Sequence, residues 1–161
     1  MEKEISTRQC GSCNACCQGW VQGTINDVRI GPYNPCKHCV SDGCAIYEDR
    51  PVDPCVNFQC GWLIEQSPVP EHMKPTRCGA VILLNRTWND QKINYLMPIG
   101  ERVPPATLEW MITFSRKLAM PMIYFENILK DGKFVGRKKY GYGPAAFVEA
   151  VRKASRLKKF V

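Results

Sequence analysis

Apolar and polar residues follow two different textures along this chain. From position 80 onward the pattern is ordered. Ala80–Leu84 is a continuous aliphatic run, as a buried strand requires. Trp88-Asn89-Asp90-Gln91 reads as a turn and Ile93–Met97 as a second strand, which predicts a hairpin. Pro104-Pro105 opens a helix, because the first helical position needs no N–H. Leu108, Met111, Ile112, Ser115, Leu118 and Ala119 share one face of that helix, and Pro121 ends it. Met122–Leu129 reads as a third strand, and Asp131-Gly132 as a tight turn into Lys133–Arg137. Gly141-Tyr142-Gly143 reads as a turn, not a nucleotide fingerprint. Gly143-Pro144 starts a last helix, with Phe147, Val151, Ala154 and Val161 as its apolar stripe and Arg152, Arg156 and Lys159 opposite.

Before position 80 the periodicity is weak. Residues 1–9 read as an exposed lead-in. Trp20–Ile30 alternates enough for one short strand, ended by Asp27 and Gly31-Pro32. Ala45–Arg50 is one helical turn stopped by Pro51, and Ser67–Pro75, with three prolines, reads as a linker or surface loop. The predicted fold class is therefore α+β. Residues 1–78 form a small, loop-rich cysteine cluster, with metal-bound loops packed on a small antiparallel sheet and two or more helices from residues 79–161. At 161 residues the two segments fit one compact domain.

Nine of the ten cysteines lie between Cys10 and Cys60. The run opens Cys10-Gly-Ser-Cys13-Asn-Ala-Cys16-Cys17, continues through Cys36, Cys39 and Cys44, and closes with Cys55 and Cys60; Cys78 stands apart. A chain this long with an ordinary apolar fraction can build a core without disulfide staples. The start, Met-Glu-Lys-Glu-Ile-Ser-Thr-Arg, has no apolar core or small-residue cleavage site, and no apolar run is long enough to span a bilayer. A cytoplasmic, reducing compartment is expected, with no membrane partner. There, clustered thiols on loops read as metal ligands rather than a disulfide framework. In C-x-x-C the intervening pair closes a small loop whose N–H groups face sulfur. Two overlapping units supply three ligands. Cys17 then points away from Cys16, which implies a bridging arrangement or two metals sharing the loop.

The candidate ligands are Cys10, Cys13, Cys16, Cys17, Cys36, Cys44, Cys55 and Cys60, with Cys39, Cys78 and His38 as further candidates. Sulfur-only ligation suits zinc and iron–sulfur clusters alike. The ferredoxin-like start Cys10-x-x-Cys13-x-x-Cys16 lacks the fourth cysteine and proline of that run, and separated C-x-x-C pairs are represented only by Cys36/Cys39. Tyr47, Arg50 and Phe58 are candidates for contacts around the ligands. Arg50 either donates to thiolates or caps a turn beside Asp49 and Asp53. Asp27 either orders the first cysteine loop or ends a strand. His72 reads as surface.

In order and spacing, the opening Cys10/Cys13/Cys16/Cys17 set, Cys36, Gly43-Cys44-Ala-Ile-Tyr47, Glu48-Asp49-Arg50-Pro51 and Cys55-x-x-Phe58-x-Cys60 resemble the cysteine-cluster family with the signature C-x-x-C-x-x-C-C, described as a zinc- or iron-chelating domain. The resemblance covers about a third of the chain. It implies metal binding by the signature cysteines, and no settled reaction. Some relatives are called iron–sulfur oxidoreductases, and the signature also occurs in a flagellin lysine methylase. The chain departs from the pattern at Cys39, where an apolar residue is more usual, and in the three residues between Pro51 and Cys55, where two are expected. It departs further in a short Asp27–Cys36 linker and in Cys78, outside the signature.

Charge adds a second theme. Residues 1–78 hold seven Lys/Arg against nine Asp/Glu, whereas residues 79–161 hold fifteen against six. The basic half, with Arg137-Lys138-Lys139 and Arg152 to Lys159, can meet nucleic-acid phosphate or an acidic protein partner, and Tyr140 and Tyr142 can stack on bases. Solvated helix and hairpin faces account for the same residues. No Ser/His/Asp set, phosphate-cradling loop or carboxylate pair is legible. Three functions remain: a metal-binding protein whose iron–sulfur or zinc centre is structural or passes electrons or metal; a zinc-organised interaction module; and a redox or group-transfer enzyme.

Overall fold

The computed structural model describes residues 8–11 and 13–157, so Ser12, Lys159 and Val161 lie outside the described residues, as does the side chain of Arg156. The ordered half builds a four-stranded sheet from β5 (Ala80–Trp88), β6 (Gln91–Pro98), β7 (Met122–Lys130) and β8 (Lys133–Tyr142), in that spatial order. The two predicted hairpins are present. Asn89 and Asp90 both take positive φ at the first turn, and Asp131 and Gly132 at the second, as tight two-residue hairpin loops require.

The sheet is mixed, because β6 and β7 run parallel. The cause is the crossover helix α2 (Pro105–Leu118), which carries the chain back across the sheet before β7 begins. Its buried line is Thr107, Met111 and Ser115, four residues apart. Leu118 is 51% exposed. Ala119 has left the helix for a left-handed C-cap, so neither extends the apolar face. α3 (Ala145–Leu157) lays Phe147 and Val151 on Ile93 and Ile123 of the sheet. Gly141 and Tyr142 belong to β8, and only Gly143 makes the turn.

The cysteine half is short-range structure. Trp20–Ile30 is not one strand but a hairpin of β1 (Gly23–Ile25) and β2 (Val28–Ile30), turning at Asn26 and Asp27 with positive φ at both. β3 (Cys39–Val40) and β4 (Gly43–Cys44) form a two-residue ladder. Tyr47–Asp49 makes the expected helical turn, and Val52–Val56 a second one. The 67–75 stretch is no loose linker. Val69 and Met73 are buried, and a short helix α1 (Pro75–Cys78) leads into β5. Arg8, read as part of an exposed lead-in, donates to the carbonyls of Trp62 and Val69 at 2.8 and 2.7 Å.

Such pieces cannot stand alone, since isolated short hairpins are marginal in water. They dock on β5. Trp20, Cys60, Trp62, Val69 and Met73 share one buried cluster with Val81, Ile82, Leu96 and Met111. Gly61 donates its N–H to the Ile82 carbonyl and lies flat on the strand; a Cβ there would come within 2.9 Å of Leu84. The cysteine segment thereby covers an edge that would otherwise present unpaired backbone groups.

A second tie crosses from the far edge. The Arg137 guanidinium, on β8, donates to the Trp20 carbonyl at 2.7 Å and to Asn127 Oδ1 at 2.9 Å. Its flat fork reaches both acceptors, which an ammonium cannot do. Replacing Arg137 with alanine should destabilise the protein by about 1–3 kcal/mol, because buried acceptors lose their donor. Arg137→Lys should recover little of that. Denaturant unfolding followed by tryptophan fluorescence reads both variants.

Candidate metal centre

Cys10–Cys17 is built by tight local bonds. Cys13 N–H bonds the Cys10 carbonyl at 2.8 Å, and Gln18 and Gly19 N–H groups bond Asn14 and Cys16 at 2.9 and 3.0 Å. The second loop is tied to the first by the Cys36 N–H to the Cys17 carbonyl, at 2.8 Å. Asn14, between two of the cysteines, is buried and donates to the Val40 carbonyl at 2.7 Å while accepting from Gln18. It clamps the first cysteine loop to the Cys39/Cys44 ladder. No sequence signal beyond an asparagine between cysteines marks this role.

These loops enclose a cavity of about 150 Å³. Cys10, Cys13, Cys16, Cys17, Cys44, Cys55 and Cys60 line it, with Tyr47, Arg50, Phe58 and Trp62 among the remaining wall residues. Arg50 is the charged residue on that wall. Cys36 is buried behind Cys17 and Cys55, packed with Ile25 and Ile30, and Cys39 sits opposite Cys44 in the ladder. Eight candidate cysteines and Cys39 thus come together.

Cys78 does not line the cavity. Its thiol lies 3.4 Å from the Met73 carbonyl and 3.2 Å from the Ala80 carbonyl, and donates toward them. The backbone N–H of His38 points at Cys36 Sγ, at 3.4 Å. His72 is exposed, as expected. Arg50 closes the turn, donating to the Tyr47 carbonyl at 2.9 Å and stacking over that ring; it stands on the cavity wall beside Cys10 and Cys55 without donating to a sulfur. Asp27 lies in the β1–β2 turn.

No protein-family profile, curated protein or solved structure matches the chain.

Among the described residues, no group of three or more His, Cys, Asp or Glu side chains stands ready-made to hold an ion. The sulfurs ring the cavity without converging. Burial and crowding make ionisation of these thiols costly. Burial raises the Cys16 thiol well above its ordinary value, and the sulfurs of Cys60, Cys13, Cys10 and Cys17 raise it further. Burial pushes Cys17 up to about 12, reinforced by Cys44, Cys39, Cys36 and Cys55. Cys10 is raised by burial and by Cys13, against the pull of Arg50 and a hydrogen bond from Tyr47. Burial also raises Cys60, offset in part by the N–H groups of Leu63 and Trp62 near its sulfur. Bare thiolates are disfavoured here, and a soft cation removes the penalty.

The basic candidates of the other half are largely committed within the fold. Arg137 holds Trp20, the Tyr140 hydroxyl donates to Glu126 at 3.0 Å, and the Tyr142 hydroxyl accepts from Arg116 at 2.6 Å. Among the described residues, no helix is long and apolar enough to cross a membrane.

Gly19 holds the first loop against β2. Its φ is +90°, and an added Cβ would sit 1.9 Å from the Gly31 carbonyl oxygen. Gly19→Ala should therefore destabilise the protein by more than about 3 kcal/mol, through combined clash and backbone strain. A melting temperature unchanged from that of the parent protein would show that this contact does not form.

Proposed function

We propose that the chain is a metal-binding protein whose Cys10–Cys60 segment ligates a thiophilic metal, as zinc or an iron–sulfur cluster. One observation carries the reading: seven cysteines from four separate stretches of chain line a single cavity beside one cation, Arg50. The donor set fits the group. It is sulfur throughout, loop-borne, and supported by N–H groups at Cys36 and Cys60. The metal, when bound, supplies positive charge that lets the crowded thiols ionise and draws their loops together. Loops of two- and three-residue strands gain the most from such a cross-link, so structural organisation of the segment is the primary role. Electron or metal transfer remains open to the same site.

The interaction-module reading draws on the basic half, but several of its named side chains already serve the fold. No wall residue of the cavity is a carboxylate or histidine, so its titratable groups besides Arg50 are Tyr47 and the thiols themselves.

Elemental analysis of protein purified without oxygen tests the proposal. Stoichiometric zinc in colourless protein supports the zinc form. Absorbance near about 400 nm that bleaches on reduction supports iron–sulfur. Thiols joined in pairs, with neither metal aboard, would overturn it. Cys13→Ser and Cys55→Ser should each lower bound metal and melting temperature, and Cys39→Ser should lower them less than Cys44→Ser; equal loss would make Cys39 a ligand.

Metal-free and loaded protein should answer pH in opposite senses. Without metal, the raised thiols hold protons more tightly when folded. The stability this contributes is full below the ordinary thiol value of 9.0 and is lost as pH climbs through the raised values, about 12 at Cys17. Loaded protein instead loses metal as pH falls, because protons compete for sulfur. Denaturation midpoints of both forms across neutral to alkaline and neutral to acid pH check this.

A further inference from the structure

The sulfurs divide into two groups, and the division runs through the Cys16–Cys17 peptide. Three kinds of observation agree on it. The first is packing. Cys13, Cys60 and Cys78 belong to the main core with Trp62 and Val81, the Cys78 thiol being turned away from the cavity to the Met73 and Ala80 carbonyls, whereas Cys17, Cys36, Cys39 and Cys55 pack with Ile25 and Ile30. No cysteine is shared between these clusters.

The second is chain geometry. The Gln18 and Gly19 N–H bonds wind residues 14–19 into a helical turn, in which successive side chains diverge by about 100°. Cys16 and Cys17 therefore point apart; Cys10 is tied to Cys13 by the Cys13 N–H to the Cys10 carbonyl at 2.8 Å, and Cys44 sits opposite Cys39 in the β3–β4 ladder. The third is local backbone closure within each group. The His38 N–H meets Cys36 Sγ at 3.4 Å on one side, and the Leu63 N–H bonds the Cys60 carbonyl at 3.0 Å on the other.

We infer that the cluster is two separate metal centres: a core-side centre ligated by Cys10, Cys13, Cys16 and Cys60, and a hairpin-side centre ligated by Cys17, Cys36, Cys44 and Cys55, with Arg50 as their common cation. This rests on the metal-binding reading above and adds the number, membership and coupling of the sites. Cys39 is the spare thiol of the second group. Its sulfur leans toward the Val40 carbonyl of its own strand, at 4.0 Å, whereas Cys36 carries the N–H contact. Four thiolates around one dication leave a charge of about −2 at each centre. Arg50 shares the cavity wall with Cys10 of one group and Cys55 of the other, within reach of offsetting both.

The test is titration of reduced, metal-free full-length protein with Co²⁺, read by the thiolate-to-cobalt absorbance, together with native mass spectrometry of the zinc-loaded form. The wild-type chain should take up about two equivalents, the number expected for two tetrahedral four-sulfur sites. Cys60→Ser should retain about one equivalent, as should Cys39→Ser/Cys44→Ser, in which the spare thiol cannot substitute. Combining all three should leave none. Cys78→Ser, outside both groups, should retain both. Arg50→Gln should speed loss to a chelator from both centres by about tenfold, with Arg50→Lys restoring much of it, as expected of a contact that tunes ligands without being one.

A single equivalent in the wild-type protein, by either method, overturns the division while leaving metal binding intact, and so needs no variant to fold. Variants of either group that each abolish all uptake overturn it as well. No uptake by the wild-type chain overturns the metal-binding reading and this inference together. An Arg50→Gln effect confined to one centre removes the shared cation.

Discussion

Crowding of sulfur is the constraint from which the rest of this molecule follows. Burial and neighbouring thiols raise the cost of each negative charge, as the upward shifts at Cys16 and Cys17 show. Two states relieve the conflict: protonated thiols kept apart, or thiolates gathered on a cation. Among the described residues, seven of the sulfur-bearing side chains line one cavity. The second state demands loops that can move inward by small amounts. Strands of two or three residues and single helical turns provide such loops where a rigid sheet cannot.

The sheet supplies what the loops lack. Ala80, Val81, Ile82 and Leu83 are buried in succession, in one cluster with Met111 of α2 and with Trp62 and its neighbours. Burying an aliphatic side chain of this size contributes about 1.5–3 kcal/mol, so a few such residues anchor many weakly structured ones. Glycine at position 61 lets backbone lie on backbone, and arginine at 137 reaches back from the opposite edge. Site and platform thus have separate sources of order: local turns for one, apolar burial for the other.

Legibility in the sequence follows the same divide. Elements of the second half were readable because burial imposes a period on them, from the aliphatic run of β5 to the Phe147/Val151 stripe of α3. The parallel β6–β7 pair was not, since strand direction depends on where a helix returns the chain. In the first half, cysteine spacing identified which residues gather. It did not disclose Asn14, whose clamp on Val40 spans the two loops, nor the Asn26-Asp27 turn, where two polar residues in left-handed conformation replaced the expected straight strand. Arg8 and Arg137 were hidden for a related reason: a buried cation serving backbone carbonyls looks, in sequence, like any surface charge.

The bond from Arg137 to the Trp20 carbonyl spans 117 positions of chain, and this separation has a consequence for biosynthesis. Chains emerge from the ribosome N-terminus first. Every thiol of the cluster is therefore made, and meets whatever ions and oxidants the surroundings hold, well before the strand bearing Arg137 exists. During that interval the cysteine loops lack both the sheet they rest on and the arginine that secures them. The Arg137 contact can form only once the last hairpin has been made, so it is among the latest ties the cysteine segment gains.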